Sequence, residues 1–160
     1  MIAKEPLAAG GRLPDLALPA APDGRSVPLR ARGRSAPVVV QTHGAGCAEC
    51  RAWLEGLAGV EDAVREWDGR AVVVVPEGLD AADRLQAASR LPYPVLADPE
   101  RRLAERLGTE DAVVLVADQW GELFLVANAG TAHRLPDPSE VVEWLRFLAV
   151  RCPECEGEAL

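Results

Sequence analysis

Two cysteines separated by two residues, Cys47 and Cys50, are the side chains of this sequence best suited to chemistry. They follow a Gly-Ala-Gly segment at residues 44–46, and a helical pattern of apolar residues runs from residue 47 to residue 67. Thiols at this spacing in the first turn of a helix lie on the same side and can close a small disulfide ring. The unpaired N–H groups and partial positive charge of a helix N-terminus stabilise a thiolate at the first position. We therefore predict that Cys47 is the exposed nucleophile and that Cys50 resolves a mixed disulfide.

Two neighbouring side chains, Glu49 and His43, are candidates for tuning the reactivity of Cys47. A helix N-terminus favours a thiolate by about 0.3–1 kcal/mol. A carboxylate several ångströms away opposes it by on the order of 1 kcal/mol. Because the two effects nearly cancel, we predict a reducing pair rather than a strong oxidant. His43 would add positive charge or accept a proton if it pointed at the thiol, but the preferred interpretation of a lone histidine at a strand end is an ordinary surface residue.

A second cysteine pair, Cys152 and Cys155, follows the last predicted helix. It is too far along the chain from the first pair for a zinc ribbon. Three interpretations stay open: a second redox pair that exchanges with the first, a zinc ion held by all four cysteines, or an independent terminal disulfide. A position near a chain terminus favours exchange. For Cys47 and Cys50, two interpretations compete with redox chemistry. The two residues could be small hydrophobic side chains buried in the core, or they could form half of the four-cysteine zinc site.

The patterning of the whole chain predicts how the dithiol is positioned. Apolar and β-branched runs predict strands at residues 16–18, 26–29, 37–43, 71–75, 94–97, 112–117 and 122–127. Amphipathic periodicity predicts helices at residues 47–67, 80–91, 99–107 and 138–150. Strands that alternate with helices predict an α/β domain with a mixed central sheet and helices on both faces, preceded by an N-terminal β-hairpin. The domain is predicted to span residues 1–150, with a short acidic tail at 151–160.

Composition limits the classes of function. The chain has 160 residues, 17 Lys and Arg, and 25 Asp and Glu, so its net charge is −8. This balance argues against nucleic-acid binding, which depends on clustered basic residues. The apolar runs are too short to span a bilayer and no signal peptide is evident, so we expect a cytoplasmic protein without membrane association. In a reducing compartment, cysteines are more often catalytic or metal-bound than structural.

Three further segments resemble the thioredoxin-like superfamily, and specifically its peroxiredoxin-like branch of alkyl hydroperoxide reductase, thiol-specific antioxidant and redoxin-domain proteins. Residues 13–16 with 23–25 are similar to the hairpin that such proteins carry before the thioredoxin core. The Tyr93–Pro99 segment and the Leu115–Asp118 segment with Gly121 resemble two further motifs of these proteins, in the same order. The resemblance covers nearly the whole chain. It implies a thioredoxin-like fold and a redox-active dithiol at Cys47 and Cys50.

The sequence also departs from this family's motifs. In the stretch 40–47, neither the proline nor the threonine of the peroxiredoxin loop stands at the position that the motif requires. Ala112 stands where peroxiredoxins have an arginine and where thioredoxins have a cis-proline. Gln41 stands where thioredoxins keep a buried carboxylate. These departures leave two mechanisms to be compared, disulfide reduction and peroxide reduction.

The leading prediction is a reducing thiol–disulfide oxidoreductase that uses Cys47 and Cys50, with Cys152 and Cys155 as a possible relay. The first alternative is a thiol-dependent peroxidase. The second is a non-enzymatic domain that binds zinc through the four cysteines or serves a partner. No organic cofactor is implied. The expected partners are a protein or small-molecule disulfide, or a peroxide, and a thiol electron donor, and the chain is expected to be a monomer or a homodimer.

Overall fold

A seven-stranded mixed sheet forms the centre of the protein in the computed structural model, which describes residues 7–130 and 134–151. The strands are β1 (Ala17–Ala20), β2 (Arg25–Pro28), β3 (Ala36–Gln41), β4 (Gly69–Val75), β5 (Val95–Ala97), β6 (Val113–Ala117) and β7 (Leu123–Asn128). The helices are α1 (Ala48–Ala58), α2 (Glu61–Glu66), α3 (Leu79–Ala88), α4 (Arg102–Leu107) and α5 (Pro138–Val150). The strand order is β2-β1-β5-β4-β3-β6-β7, in which β3 and β4, and β4 and β5, are parallel and the other neighbours are antiparallel.

The adjacent strands β4, β3 and β6 are valine-rich and almost entirely buried. β-Branched residues favour extended backbone, and a strand covered on both faces has no polar side. Alternate residues of β3 contribute to two separate apolar clusters. Val38 and Val40 pack in one cluster with residues of α1, α2, α3 and α5, whereas Val39 packs in the other with Leu103 and Leu107 of α4. The predicted α/β architecture with helices on both faces of a mixed sheet is therefore confirmed.

The helix predicted for residues 47–67 is in fact two helices, and that prediction was wrong in this respect. The chain leaves α1 at Gly59, whose backbone N–H donates to the carbonyls of Glu55 and Leu57. Val60 then takes a non-helical conformation before α2 begins. Because glycine is a poor helix former, ending the helix at Gly59 costs less free energy than ending it at a residue that favours the helix. The apolar stripe still faces the core across the break, since Leu57 and Val64 are both fully buried.

Both predicted hairpins are present. β1 and β2 form the N-terminal extension, and β1 joins the main sheet beside β5. The turn between β6 and β7 is stabilised by Asp118, whose Oδ1 accepts the backbone N–H groups of Trp120 and Glu122 at 2.9 Å. Gly121 has a φ of +91°, which a side chain would disfavour. None of the helices within the described residues has the length and apolarity that crossing a bilayer requires.

Candidate functional site

The loop between β3 and α1 carries the first cysteine and is held by its neighbours in the sheet. The Thr42 hydroxyl and backbone N–H both donate to the carbonyl of Val74, at 3.2 and 3.0 Å. Glu77, just after β4, accepts the backbone N–H of Ala45 at 2.7 Å. A Cβ at Gly44 would lie 3.0 Å from the Oε1 of the same carboxylate, which would have to shift slightly. Two anchors therefore orient the loop that ends at the dithiol.

Cys47 and Cys50 are both free thiols and differ in their access to solvent. Cys47 is the N-cap of α1 and is half-buried, and its Sγ accepts the backbone N–H of Cys50 at 3.4 Å. Cys50, one helical turn further on, is only 5% exposed. This order of exposure agrees with the prediction. A helix N-terminus that donates to Sγ stabilises negative charge on that sulfur.

The imidazole of His43 lies at the dithiol, not in the surface position that the sequence favoured. Its Nδ1 is 3.5 Å from the Sγ of Cys50 and 3.9 Å from the Sγ of Cys47. The backbone N–H of Ala112 donates to the other ring nitrogen, Nε2, at 3.3 Å. Since that nitrogen accepts a hydrogen bond, the proton of the neutral ring lies on Nδ1. The ring therefore presents an N–H donor to both sulfurs.

Gln41 positions the loop from which Ala112 reaches the histidine. Its side chain is buried, and its Nε2 donates to the carbonyls of Thr109 and Asp111, at 3.0 and 2.9 Å. A carboxylate at this position could not make either bond, because both partners are acceptors. The sequence departure at Gln41 therefore has a structural role. It orders the segment that fixes the tautomer of His43.

Burial and nearby charge give Cys50 a different acidity from an ordinary thiol. The pKa of Cys50 is raised to about 12, chiefly because burial desolvates the thiolate. A backbone hydrogen bond from His43 lowers the pKa, and Cys47 and Glu49 raise it further. At neutral pH this thiol keeps its proton. The Oε2 of Glu49 lies 3.5 Å from the Sγ of Cys47. The buried sulfur is thus a poor first nucleophile, and the accessible sulfur is that of Cys47.

A groove of about 500 Å³ opens beside Cys50. Its lining is mostly apolar and comes from α1, the start of β6 and the segment before α5, with His43, Glu49, Cys50, Ala52, Trp53, Gly56, Ala112, Ala129, Arg134, Leu135 and Pro138. Trp53 forms one wall, and its indole N–H donates to the carbonyl of Pro136 at 2.6 Å. Glu49 and Arg134 supply opposite charges. Such a groove can hold an extended apolar substrate beside Cys50, whose Sγ lies within 4.8 Å of the Sγ of Cys47.

The fold brings four of the predicted site residues together. The ligand atoms of His43, Cys47 and Cys50 lie within 4.8 Å of one another, and Glu49 is beside them. Cys152 and Cys155 lie outside the described residues, so the relay, the four-cysteine zinc site and the terminal disulfide all stay predictions.

Sequence reasoning assigned no part in the site to Glu77, Asp111 or Arg134, which come from loops distant in the chain. Their spacing along the sequence carries no signal, because only the tertiary fold brings those loops to the dithiol. Trp53 packs against the core and also forms a wall of the groove.

Comparison with known proteins agrees with this geometry. The described sheet and helices resemble Mycobacterium tuberculosis AhpC with a TM-score of 0.78 and 20% identity, covering 94% of this chain and 99% of that one. A peroxiredoxin-like protein from Aquifex aeolicus gives a TM-score of 0.78 at 17% identity, covering 91% and 90% of the two chains. A candidate protein disulfide isomerase from Bacteroides thetaiotaomicron gives a TM-score of 0.73 at 14% identity, covering 94% of this chain and 95% of that one. No curated protein matches the sequence.

The family is established by the sequence itself. Residues 9–142 match the AhpC/TSA family, and this range includes the sheet, the dithiol and every residue that lines the groove. The thioredoxin-like fold and the peroxiredoxin-like resemblance predicted from the sequence are confirmed. An enzymatic role is thereby favoured over a purely structural one. The chain belongs to the AhpC/TSA family and is a thiol-dependent oxidoreductase.

Proposed function

We propose that this protein is a thiol–disulfide oxidoreductase of the reducing type, in which Cys47 attacks and Cys50 resolves. One observation carries the proposal: a half-exposed sulfur at a helix N-terminus lies next to a buried sulfur, and a single imidazole nitrogen faces both. An attacking thiol must be reachable and stabilised as a thiolate, whereas a resolving thiol must stay protected until the mixed disulfide forms. Cys47 is the reachable sulfur and accepts a backbone N–H of the helix N-terminus, whereas burial protects Cys50.

The first step uses the donors that face Cys47. Its thiolate attacks one sulfur of a substrate disulfide held in the groove, forms a mixed disulfide and releases the other substrate sulfur as a thiolate. The backbone N–H of Cys50 and the Nδ1–H of His43 are directed at the attacking sulfur and stabilise its negative charge. The apolar wall at Trp53 accommodates the rest of the substrate.

The second step uses the buried thiol. Cys50 attacks the Sγ of Cys47, closes the disulfide between them and releases the second substrate thiolate, which takes up the Cys50 proton. The Nδ1–H of His43, 3.5 Å from Cys50, stabilises the charge that develops on this sulfur as the proton leaves. Because burial raises the pKa of Cys50 to about 12, the step needs both this hydrogen bond and the departing base. Two molecules of an external thiol, or the pair Cys152 and Cys155, then reduce the disulfide to the dithiol and are themselves oxidised to a disulfide.

Trapping of the mixed disulfide tests the assignment of the two roles. Cys50→Ser should accumulate a covalent adduct with a disulfide substrate, seen as added mass that dithiothreitol removes, whereas Cys47→Ser should form none. Both variants are made in a Cys152→Ser/Cys155→Ser background so that the tail thiols contribute nothing. Equal adduct formation by the two single variants, or an adduct on Cys50 alone, would contradict the proposed order.

Peroxide reduction is the second candidate, and membership of the AhpC/TSA family favours it. The Cys47 thiolate would attack one peroxide oxygen, release water or an alcohol and become a sulfenic acid, which Cys50 would convert to the disulfide with loss of water. Ala112 supplies no guanidinium, and the Thr42 hydroxyl is bonded to the carbonyl of Val74 instead of the thiol. His43 is then the side-chain donor that faces the attacking sulfur.

Competition between the two substrates decides which reaction dominates. Reduced protein is mixed with hydrogen peroxide or with a small disulfide at equal concentrations, and oxidation of the dithiol is followed by the change in tryptophan fluorescence. The leading proposal predicts a larger second-order rate constant for the disulfide. A rate constant for peroxide that exceeds it by tenfold or more, with a sulfenic acid trapped in Cys50→Ser, would make the protein a peroxidase instead.

A further inference from the structure

We propose that the reduced dithiol and His43 form a zinc-binding site that does not require the C-terminal cysteines. The three ligand atoms, the Nδ1 of His43 and the two Sγ atoms, lie within 4.8 Å of one another. Zinc bonds of about 2.3 Å to sulfur and 2.0–2.1 Å to nitrogen, at tetrahedral angles, place sulfur and nitrogen ligands about 3.6 Å apart. The observed nitrogen–sulfur distances are 3.5 and 3.9 Å. The nitrogen–sulfur distances are therefore already close to those that the ion requires.

The donor set suits a thiophilic ion with a preference for tetrahedral coordination. Two thiolates and one imidazole are ligands that zinc takes readily, and three protein ligands leave a fourth position for a water or another donor. The carboxylate of Glu49, 3.5 Å from the Sγ of Cys47 on an exposed side chain, is a protein candidate for that position. Two of the three ligands stand at the N-terminus of one helix, which holds their sulfurs close together.

Zinc binding needs the other tautomer of His43. A metal on Nδ1 requires a lone pair there, so the ring must carry its proton on Nε2. The Oδ1 of Asp111 is 4.0 Å from Nε2, and a small turn of the ring away from the N–H of Ala112 would bring this carboxylate into hydrogen-bond range. Ligating histidines usually donate their second N–H to such an acceptor. We therefore assign Asp111 as the residue that positions the His43 ring when zinc is bound, and Ala112 as the residue that positions it in the metal-free protein.

Metal binding and disulfide formation exclude each other, because both use the sulfurs of Cys47 and Cys50. Hydrogen peroxide oxidises the bound thiolate pair to the disulfide and is itself reduced to two waters with two protons from solvent. The ion then loses two of its three ligands and is released. This release depends on the proposed redox function, whereas the binding itself does not.

Titration of the reduced full-length chain tests the site. Protein freed of metal by a chelator and with Cys152→Ser/Cys155→Ser is titrated with zinc against a chromogenic chelator, and with cobalt as a spectroscopic substitute. We expect one ion per chain and the visible absorption bands of tetrahedral thiolate-bound cobalt. The disulfide form should bind neither ion. A reduced chain that binds no zinc in this background would overturn the proposal, and one that binds it only with the tail cysteines intact would replace it with a four-cysteine site.

Variants of the histidines and of Asp111 separate ligation from general stability. His43→Gln should weaken zinc binding by at least tenfold, whereas His133→Gln, at the only other histidine, should leave it unchanged. Asp111→Asn should weaken it by about tenfold, as is usual for an outer-shell carboxylate. Zinc affinity that is equal in His43→Gln and in the parent would remove His43 from the site and overturn the assignment. None of these measurements requires turnover, so a failure of zinc binding leaves the proposed redox function standing, and an inactive chain that binds zinc leaves the site standing.

Discussion

The backbone N–H of Ala112 donates to the Nε2 of His43, and this bond decides which nitrogen of the ring faces the two thiols. A proline at this position would have no N–H to give. The alanine that replaces the cis-proline of thioredoxins and the arginine of peroxiredoxins therefore contributes through its main chain. It turns His43 into a hydrogen-bond donor toward Cys47 and Cys50.

Ala112→Pro should remove this donor and slow the reaction of Cys47 with a small disulfide. Loss of one hydrogen bond costs about 1 kcal/mol, which corresponds to about a fivefold smaller rate constant. Nitrogen chemical shifts of the His43 ring should also show a loss of the preference for a proton on Nδ1. Ala112→Gly keeps the N–H and serves as the control. A proline variant with the parent's rate constant and ring tautomer would contradict this role.

Gln41→Glu should destabilise the fold by about 3 kcal/mol near neutral pH. The new carboxylate would be buried against the carbonyls of Thr109 and Asp111, with no donor to either. Urea unfolding at pH 7 measures the loss. Gln41→Met, which removes the hydrogen bonds without adding a charge, should lose less. If the glutamate and methionine variants unfolded at the same urea concentration, the buried charge would make no contribution to the loss of stability, contrary to this prediction.

Tyr93→Phe should change how stability depends on pH. The Tyr93 hydroxyl donates to the carbonyl of Leu57 at 2.8 Å, and burial raises the pKa of Tyr93 to about 12 from an ordinary value of 10. A folded pKa above the unfolded one means that this stabilisation is complete below pH 10 and is lost as pH rises toward 12.

The variant should therefore be about 1 kcal/mol less stable than the parent at pH 7. This difference should shrink between pH 10 and 12. Both proteins carry Cys50→Ser in this comparison, because burial also raises the pKa of the Cys50 thiol to about 12. Urea unfolding at several pH values measures the difference, and a difference that grew above pH 10 would reverse the expected sign.

Arg134→Glu should reduce the rate at which the dithiol reacts with an anionic disulfide. Arg134 supplies the positive charge of the groove beside Cys50, opposite in sign to Glu49. We expect about a tenfold smaller rate constant at low ionic strength. The effect should fall as added salt screens the charge over a Debye length of about 10 Å at 0.1 M.

A cationic disulfide such as cystamine provides the comparison and should react no more slowly with Arg134→Glu than with the parent. Arg106→Glu, an exposed position on α4, makes the same charge change away from the groove and should leave both rates unchanged. If the two variants behaved alike, net charge rather than the groove would control the rate.

Local sequence determined much of this protein. The valine-rich runs produced the buried central strands, the Asp118 and Gly121 pair produced the hairpin turn, and the spacing of Cys47 and Cys50 at a helix start produced their order of exposure. Each of these depends on backbone conformation or on periodicity over a few residues. The break at Gly59 was missed, because the apolar stripe continues through it and periodicity alone does not reveal a change of helix.

Only the tertiary structure decided what surrounds the thiols. His43 faces the thiols because the backbone N–H of Ala112, 69 residues away in the chain, donates to its Nε2. Ala112 is held in place because the side chain of Gln41 donates to carbonyls of the preceding loop. These contacts exist only because β3 lies antiparallel to β6, which brings the end of one strand to the start of the other. Hydrogen bonds are short-range and directional, so no spacing along the sequence could have indicated them.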